Sequence, residues 1–85
     1  MKIKVRIASA LREFVTDAEI ADSGRGEIEV DVGATPADVI RLMNIPENHR
    51  LMVILDGSMV TRPELAKVKL QESQTISLNP PIQAG

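Results

Sequence analysis

The run KIKVRI, residues 2–7, narrows the fold more than any other stretch of this 85-residue chain. Ile3, Val5 and Ile7 alternate with Lys2, Lys4 and Arg6, so an extended backbone gives one apolar face and one cationic face. The segment is a strand with one wet side, and its apolar side needs a second layer to cover it. The same period returns in EIEVDV, residues 27–32, which places Ile28, Val30 and Val32 inward, and in TISL, residues 75–78, which places Ile76 and Leu78 inward. LMVIL, residues 51–55, is apolar on both faces and reads as a strand well inside the sheet.

The covering layer comes from helical spacings. Ser9 is a candidate cap for a helix carrying Leu11, Phe14, Val15 and Ala18 on one stripe, broken by DSGRG. A stronger start is ATPADVIRLM, where Thr35 is the N-cap, Pro36 the first helical residue and Asp38 the capping-box partner. Pro36, Val39, Ile40 and Met43 share its inner face, and Pro46 ends it. Asp56 and Gly57 suit a two-residue hairpin turn into a short strand SMV, residues 58–60. RPELAKVKL then reads as a short helix or turn that brings Leu65, Val68 and Leu70 to the core. These elements predict an α+β chain with a mixed sheet covered mainly on one face by helix.

Composition excludes several classes of function. The chain has no cysteine, so disulfides, thiolate metal sites and cysteine nucleophiles are ruled out. A net charge of -2 with both signs scattered, and Phe14 as the sole aromatic, leaves neither a phosphate-tracking face nor a stacking platform for nucleic acid. No apolar block resembles a signal peptide or approaches membrane-spanning length, and a cytoplasmic protein without membrane association is expected. His49, in a polar loop with Glu47 and Asn48, lacks companion ligands at metal-binding spacing and reads as a solvated residue. Glu27, Glu29 and Asp31 read as the solvated side of a strand. Met43, Met52 and Met59 read as core or sheet-face filling, with Met52 and Ile54 also a candidate partner-facing pair on the second face of their strand.

The ending LNPPIQAG has its own logic. Pro80 and Pro81 cannot donate ladder hydrogen bonds, so the last strand stops there and the chain leaves the sheet in an extended conformation. Residues 1–81 are expected to form one domain and residues 82–85 a flexible tail of Ile82, Gln83, Ala84 and Gly85.

Taken in order, KIKVRIASALREF, VGATPADVI, LDGSMV and TISLNPPIQAG resemble the ubiquitin-like sulfur carriers of the MoaD/ThiS family, the small subunit of molybdopterin synthase and the thiamine-biosynthesis carrier. The resemblance spans nearly the whole chain. It implies a β-grasp fold, α+β, with four to five strands in a mixed sheet packed on one main helix and with the first and last strands parallel at its centre. RPELAKVKL is more similar to the thiamine branch and NPP to the molybdopterin branch, which leaves both open.

For function, the resemblance implies a protein cosubstrate with no catalytic machinery and no bound cofactor of its own. Its Gly85 carboxylate would be adenylated with ATP by a ubiquitin-activating-type adenylyltransferase and converted to a thiocarboxylate by a desulfurase or rhodanese-like sulfur donor. A larger synthase subunit would be a further partner, and Pro80, Pro81, Ile82, Gln83 and Ala84 would form the tether that partners grip. Two positions depart from the family pattern: Ser73 and Gln74 replace a Gly-Asp turn pair, and Ala84 replaces the penultimate glycine. Ala84 keeps an alternative in view, a non-conjugating β-grasp interaction module that has lost tail activation.

Overall fold

The computed structural model describes residues 1–46 and 48–81. Five strands, β1 (Lys2–Ile7), β2 (Arg25–Glu29), β3 (Met52–Leu55), β4 (Ser58–Val60) and β5 (Thr75–Asn79), form one mixed sheet in the order β2-β1-β5-β3-β4. The central pair is the parallel one, β1 on β5 with Val5 opposite Ile76 and Ile7 opposite Leu78, and the other pairings are antiparallel. This is the strand arrangement expected of a β-grasp.

Alternation in the sequence becomes layering in space. Ile3, Val5, Ile7, Val53, Ile76 and Leu78 are buried against a helical layer, while Lys2, Lys4 and Arg6 stay exposed on the opposite face. On that open face Lys2 sits across from Glu29 and Lys4 across from Glu27, opposite charges that suit adjacent strands.

The helical layer is divided among short pieces. Ser9–Phe14 is a 3₁₀ segment, and α1 (Ala18–Ser23) is a separate helix, in place of the single helix that the spacing from Leu11 to Ala18 predicts. Ser9 is therefore no cap, and Ala18 is exposed. The cause is local: β-branched Val15 and Thr16 favour extended backbone, and the Asp17 carboxylate accepts hydrogen bonds from the Glu19 and Ile20 amides, which starts a new helix. α1 ends at Gly24, whose φ of 75° makes a left-handed C-cap, and β2 begins at the next residue. β2 is consequently displaced toward the N-terminus of the predicted strand. Val30 is still buried, but the chain turns between Asp31 and Ala34, and Val32 is 88% exposed rather than inward.

The second helix, α2 (Pro36–Leu42), starts as the sequence predicts. The Asp38 amide donates to Thr35 Oγ1 at 3.4 Å, and the Thr35 amide donates to Asp38 Oδ2 at 2.9 Å. Pro36, Val39 and Met43 are buried. The helix ends at Leu42, before Pro46, with Met43 as its C-cap and the next residue, Asn44, at a left-handed φ of 62°. In the hairpin, Asp56 and Gly57 adopt φ of 47° and 85°, the positive angles expected of that pair. Ser73 takes φ of 69°, so serine accommodates the turn before β5 despite its side chain. The Arg62–Ala66 stretch is a second 3₁₀ segment. Leu70 is buried and Leu65 packs on the core, whereas Val68 is half-buried outside the core cluster.

The α2 capping box sets an expected acid response. The Thr35 amide, helped by the Arg41 guanidinium at 3.0 Å, holds the Asp38 carboxyl below its usual value of 3.8. A lowered folded pKa contributes stability that is complete above the unfolded value and is lost as pH falls through the folded value. Thr35→Ala should cost about 1 kcal/mol at neutral pH, and Asp38→Asn should flatten the acid limb of stability. Urea unfolding from neutral to strongly acidic pH measures both; an acid limb unchanged in Asp38→Asn would assign the sensitivity to other carboxylates.

Candidate functional site

β5 carries the chain toward its last residues through the middle of the sheet. It is hydrogen-bonded on both sides, to β1 and to β3, and the Ala8 amide donates to the Leu78 carbonyl at 3.0 Å where the strand ends. Asn79 is the last ladder residue, opposite Met52, and its side-chain amide donates to the Met52 carbonyl at 3.4 Å. Pro80 and Pro81 follow, both exposed and outside the ladder, as their missing N–H groups dictate. The chain therefore reaches Pro81 from a strand held by two neighbours. Ile82, Gln83, Ala84 and Gly85, the other residues of the predicted tether, lie outside the described residues, as does the proposed domain-to-tail boundary beyond Pro81.

Met52 and Ile54 occupy the face of β3 away from the core, both half-buried. Met59 sits opposite Ile54 on β4 and is 61% exposed. β4 is the sheet edge and has one neighbour, so of the two readings for Met59 the core one fails and it lies exposed on the sheet face; Met43, by contrast, is core. Met52, Ile54 and Met59 thus make an apolar end to an otherwise polar sheet face, and Met52 lies at the point where β5 ends. The pairing partner of Ile54 across the Asp56–Gly57 turn was the available signal for Met59.

The described residues concentrate no reactive chemistry. The two carboxyls with shifted acidity are helix caps: Asp38 is lowered chiefly by the Thr35 amide, and Glu64 chiefly by the Thr61 hydroxyl, which donates to it at 2.6 Å. No group of three or more histidine or carboxylate side chains converges among the described residues to hold a metal ion. His49 is exposed and meets Phe14 edge-on, with ring centroids 5.2 Å apart. Among the described residues, no helix is long and apolar enough to cross a membrane.

No protein-family model and no curated protein matches the chain. Solved structures do. SAMP1 from Haloferax volcanii is 18% identical over the whole of both chains, with a TM-score of 0.63. A Pyrococcus furiosus protein assigned as subunit 1 of molybdopterin converting factor is 17% identical, over 96% of this chain and 99% of that one, with a TM-score of 0.69. A complex of subunits 1 and 2 of molybdopterin-converting factor from Helicobacter pylori contains a chain 14% identical over the full length of both, with a TM-score of 0.60. At such identities the likeness is one of fold, and the fold is the ubiquitin-like β-grasp that these small proteins share.

Proposed function

We propose that the chain is a sulfur carrier of the MoaD/ThiS kind, a protein cosubstrate whose Gly85 carboxylate is the reacting group. The observation that carries this reading is the exit at Pro80 and Pro81: a central strand ends at Asn79, opposite Met52 of the apolar sheet end, and the two prolines leave the ladder there. A carboxylate is unreactive toward sulfur nucleophiles until it has a leaving group. An adenylyltransferase would supply one by joining the Gly85 carboxylate to the α-phosphate of ATP with release of pyrophosphate. The terminal sulfur of a persulfide would then attack the carbonyl carbon and expel AMP to give an acyl disulfide, and a second thiol on the sulfur donor would attack the donor-side sulfur, forming a disulfide there and releasing the thiocarboxylate. The adenylyltransferase and the sulfur donor supply the catalytic groups, and this chain supplies a reachable carbonyl.

The family resemblance and the shared β-grasp support the carrier reading, and the Helicobacter pylori complex of subunits 1 and 2 supports a larger synthase subunit as a partner here. Stiff prolines ahead of the reacting end reduce the entropy lost when a partner takes it up. Mass spectrometry of the protein isolated from its own cells tests the proposal. The expected species carries one sulfur in place of one oxygen at Gly85; a terminus that stays a carboxylate under conditions of active cofactor synthesis would overturn it.

Partners are expected to hold the apolar end of the open sheet face as well as the tail, since a few small residues bury too little area for specific recognition. Ile54→Lys and Ile82→Asp should each weaken adenylyltransferase binding at least about tenfold. Calorimetric titration with far-ultraviolet dichroism as the fold control measures this. Unchanged affinity in both variants would move the docking surface elsewhere.

A further inference from the structure

On the helical side of the molecule, a groove runs between α2 and the Arg62–Ala66 segment and reaches Pro81. It consists of two depressions of about 270 and 450 Å³ that share Ile40 and Leu65. Leu51 and Val60, brought together by the β3–β4 hairpin, add to its aliphatic lining. Among the described residues, the charged groups along it are all cationic: exposed Arg50 and Arg62 at the Pro81 end, and Arg41 at the other. His49 lies beside Arg50 in the same depression.

The charge is segregated against the trend of the chain. A protein of net charge -2 has gathered three arginines along one groove, and no carboxylate lines either half among the described residues. Arg41 is offset by Asp38 at 3.0 Å, but no described carboxylate lies within ion-pair distance of Arg50 or Arg62. Glu64, the nearest acidic residue along the chain to Arg62, is engaged by the Thr61 amide and hydroxyl at 2.9 and 2.6 Å.

We infer that this groove docks an acidic segment bearing aliphatic side chains, contributed by the partner that takes the tail. A phosphate would satisfy the arginines and leave the aliphatic lining wet, whereas a peptide alternating carboxylates with aliphatic residues covers both. The groove reaches Pro81, so such a segment would lie beside the point where the chain leaves the sheet. This inference names the chemistry of a partner and rests on the carrier reading for what that partner does.

The test uses the full chain and two short synthetic peptides, one alternating glutamate with leucine and one alternating lysine with leucine. The acidic peptide should shift the methyl resonances of Ile40, Leu51, Val60 and Leu65 and leave Lys4 and Thr75 on the open sheet unperturbed; the basic peptide should shift neither set. The double variant Arg50→Glu/Arg62→Glu should bind the acidic peptide at least about tenfold more weakly, and the difference should shrink at 1 M salt, where charges are screened beyond about 3 Å. Failure of the acidic peptide to bind, equal binding by the double variant, shifts on the open sheet instead, or displacement by tripolyphosphate would each overturn the groove as a peptide site. In adenylation assays the double variant should raise KM for the carrier and leave kcat unchanged. If the wild-type chain is not adenylated either, the carrier reading fails while the peptide titration still decides the groove.

Discussion

Deletion of Gly85 is expected to abolish ATP–pyrophosphate exchange and thiocarboxylate formation completely, while Ala84→Gly is expected to leave folding unchanged and to accelerate exchange with an adenylyltransferase adapted to two terminal glycines. The two variants probe different parts of one requirement. On the carrier reading, removing Gly85 replaces the reacting carbonyl by that of Ala84, one residue short and flanked by a methyl group. Removing the Ala84 methyl frees the backbone beside a carbonyl that stays in place. A displacement of about 1 Å at a reacting centre can lower a rate roughly a hundredfold, so a narrow channel built for glycine should discriminate by that order. An enzyme that evolved with this chain should show little difference between wild type and Ala84→Gly. Exchange by the Gly85 deletion at the wild-type rate would mean that the terminal glycine is not the reacting group, and the interaction-module alternative would then account for Ala84.

The second large effect concerns the strand that carries the tail. Ile76 is completely buried, paired with Val5 on one side and Leu55 on the other. Ile76→Ala should cost about 2–5 kcal/mol, against a total of about 5–15 kcal/mol for domains of this class. The melting temperature should fall by on the order of 10 °C or more. Val32→Ala is the matched control, because Val32 is 88% exposed and its change should stay within about 0.5 kcal/mol. Both follow from chemical denaturation monitored by dichroism. Equal stability of the two variants would contradict the central position of β5.

The legible parts of the molecule are those governed by neighbours in sequence. KIKVRI and TISL alternate because each strand has one covered face, and both appear as β1 and β5. Thr35, Pro36 and Asp38 specify the start of α2 within one turn, and Asp56 and Gly57 specify the hairpin in two residues. The proline pair specifies where β5 ends. Two local readings were overturned by competing local chemistry: Asp17 captured the helix start that the spacing assigned to Ser9, and the turn after Val30 carried Val32 out to solvent.

The sequence by itself therefore determined β1 and β5, the start of α2, the hairpin turn and the departure of the chain after Asn79. The tertiary structure decided which strands become neighbours. β1 and β5 are the first and last elements, and their parallel pairing closes nearly the whole chain into a loop whose entropic cost no local preference reveals. The same closure makes β4 an edge, so Met59 is exposed, and it sets Pro81 beside the groove where the β3–β4 hairpin brings its flanking Arg50 and Arg62 together. Those juxtapositions exist only because burying Ile3, Val5, Ile76 and Leu78 in a single core outweighs the cost of bringing distant segments together.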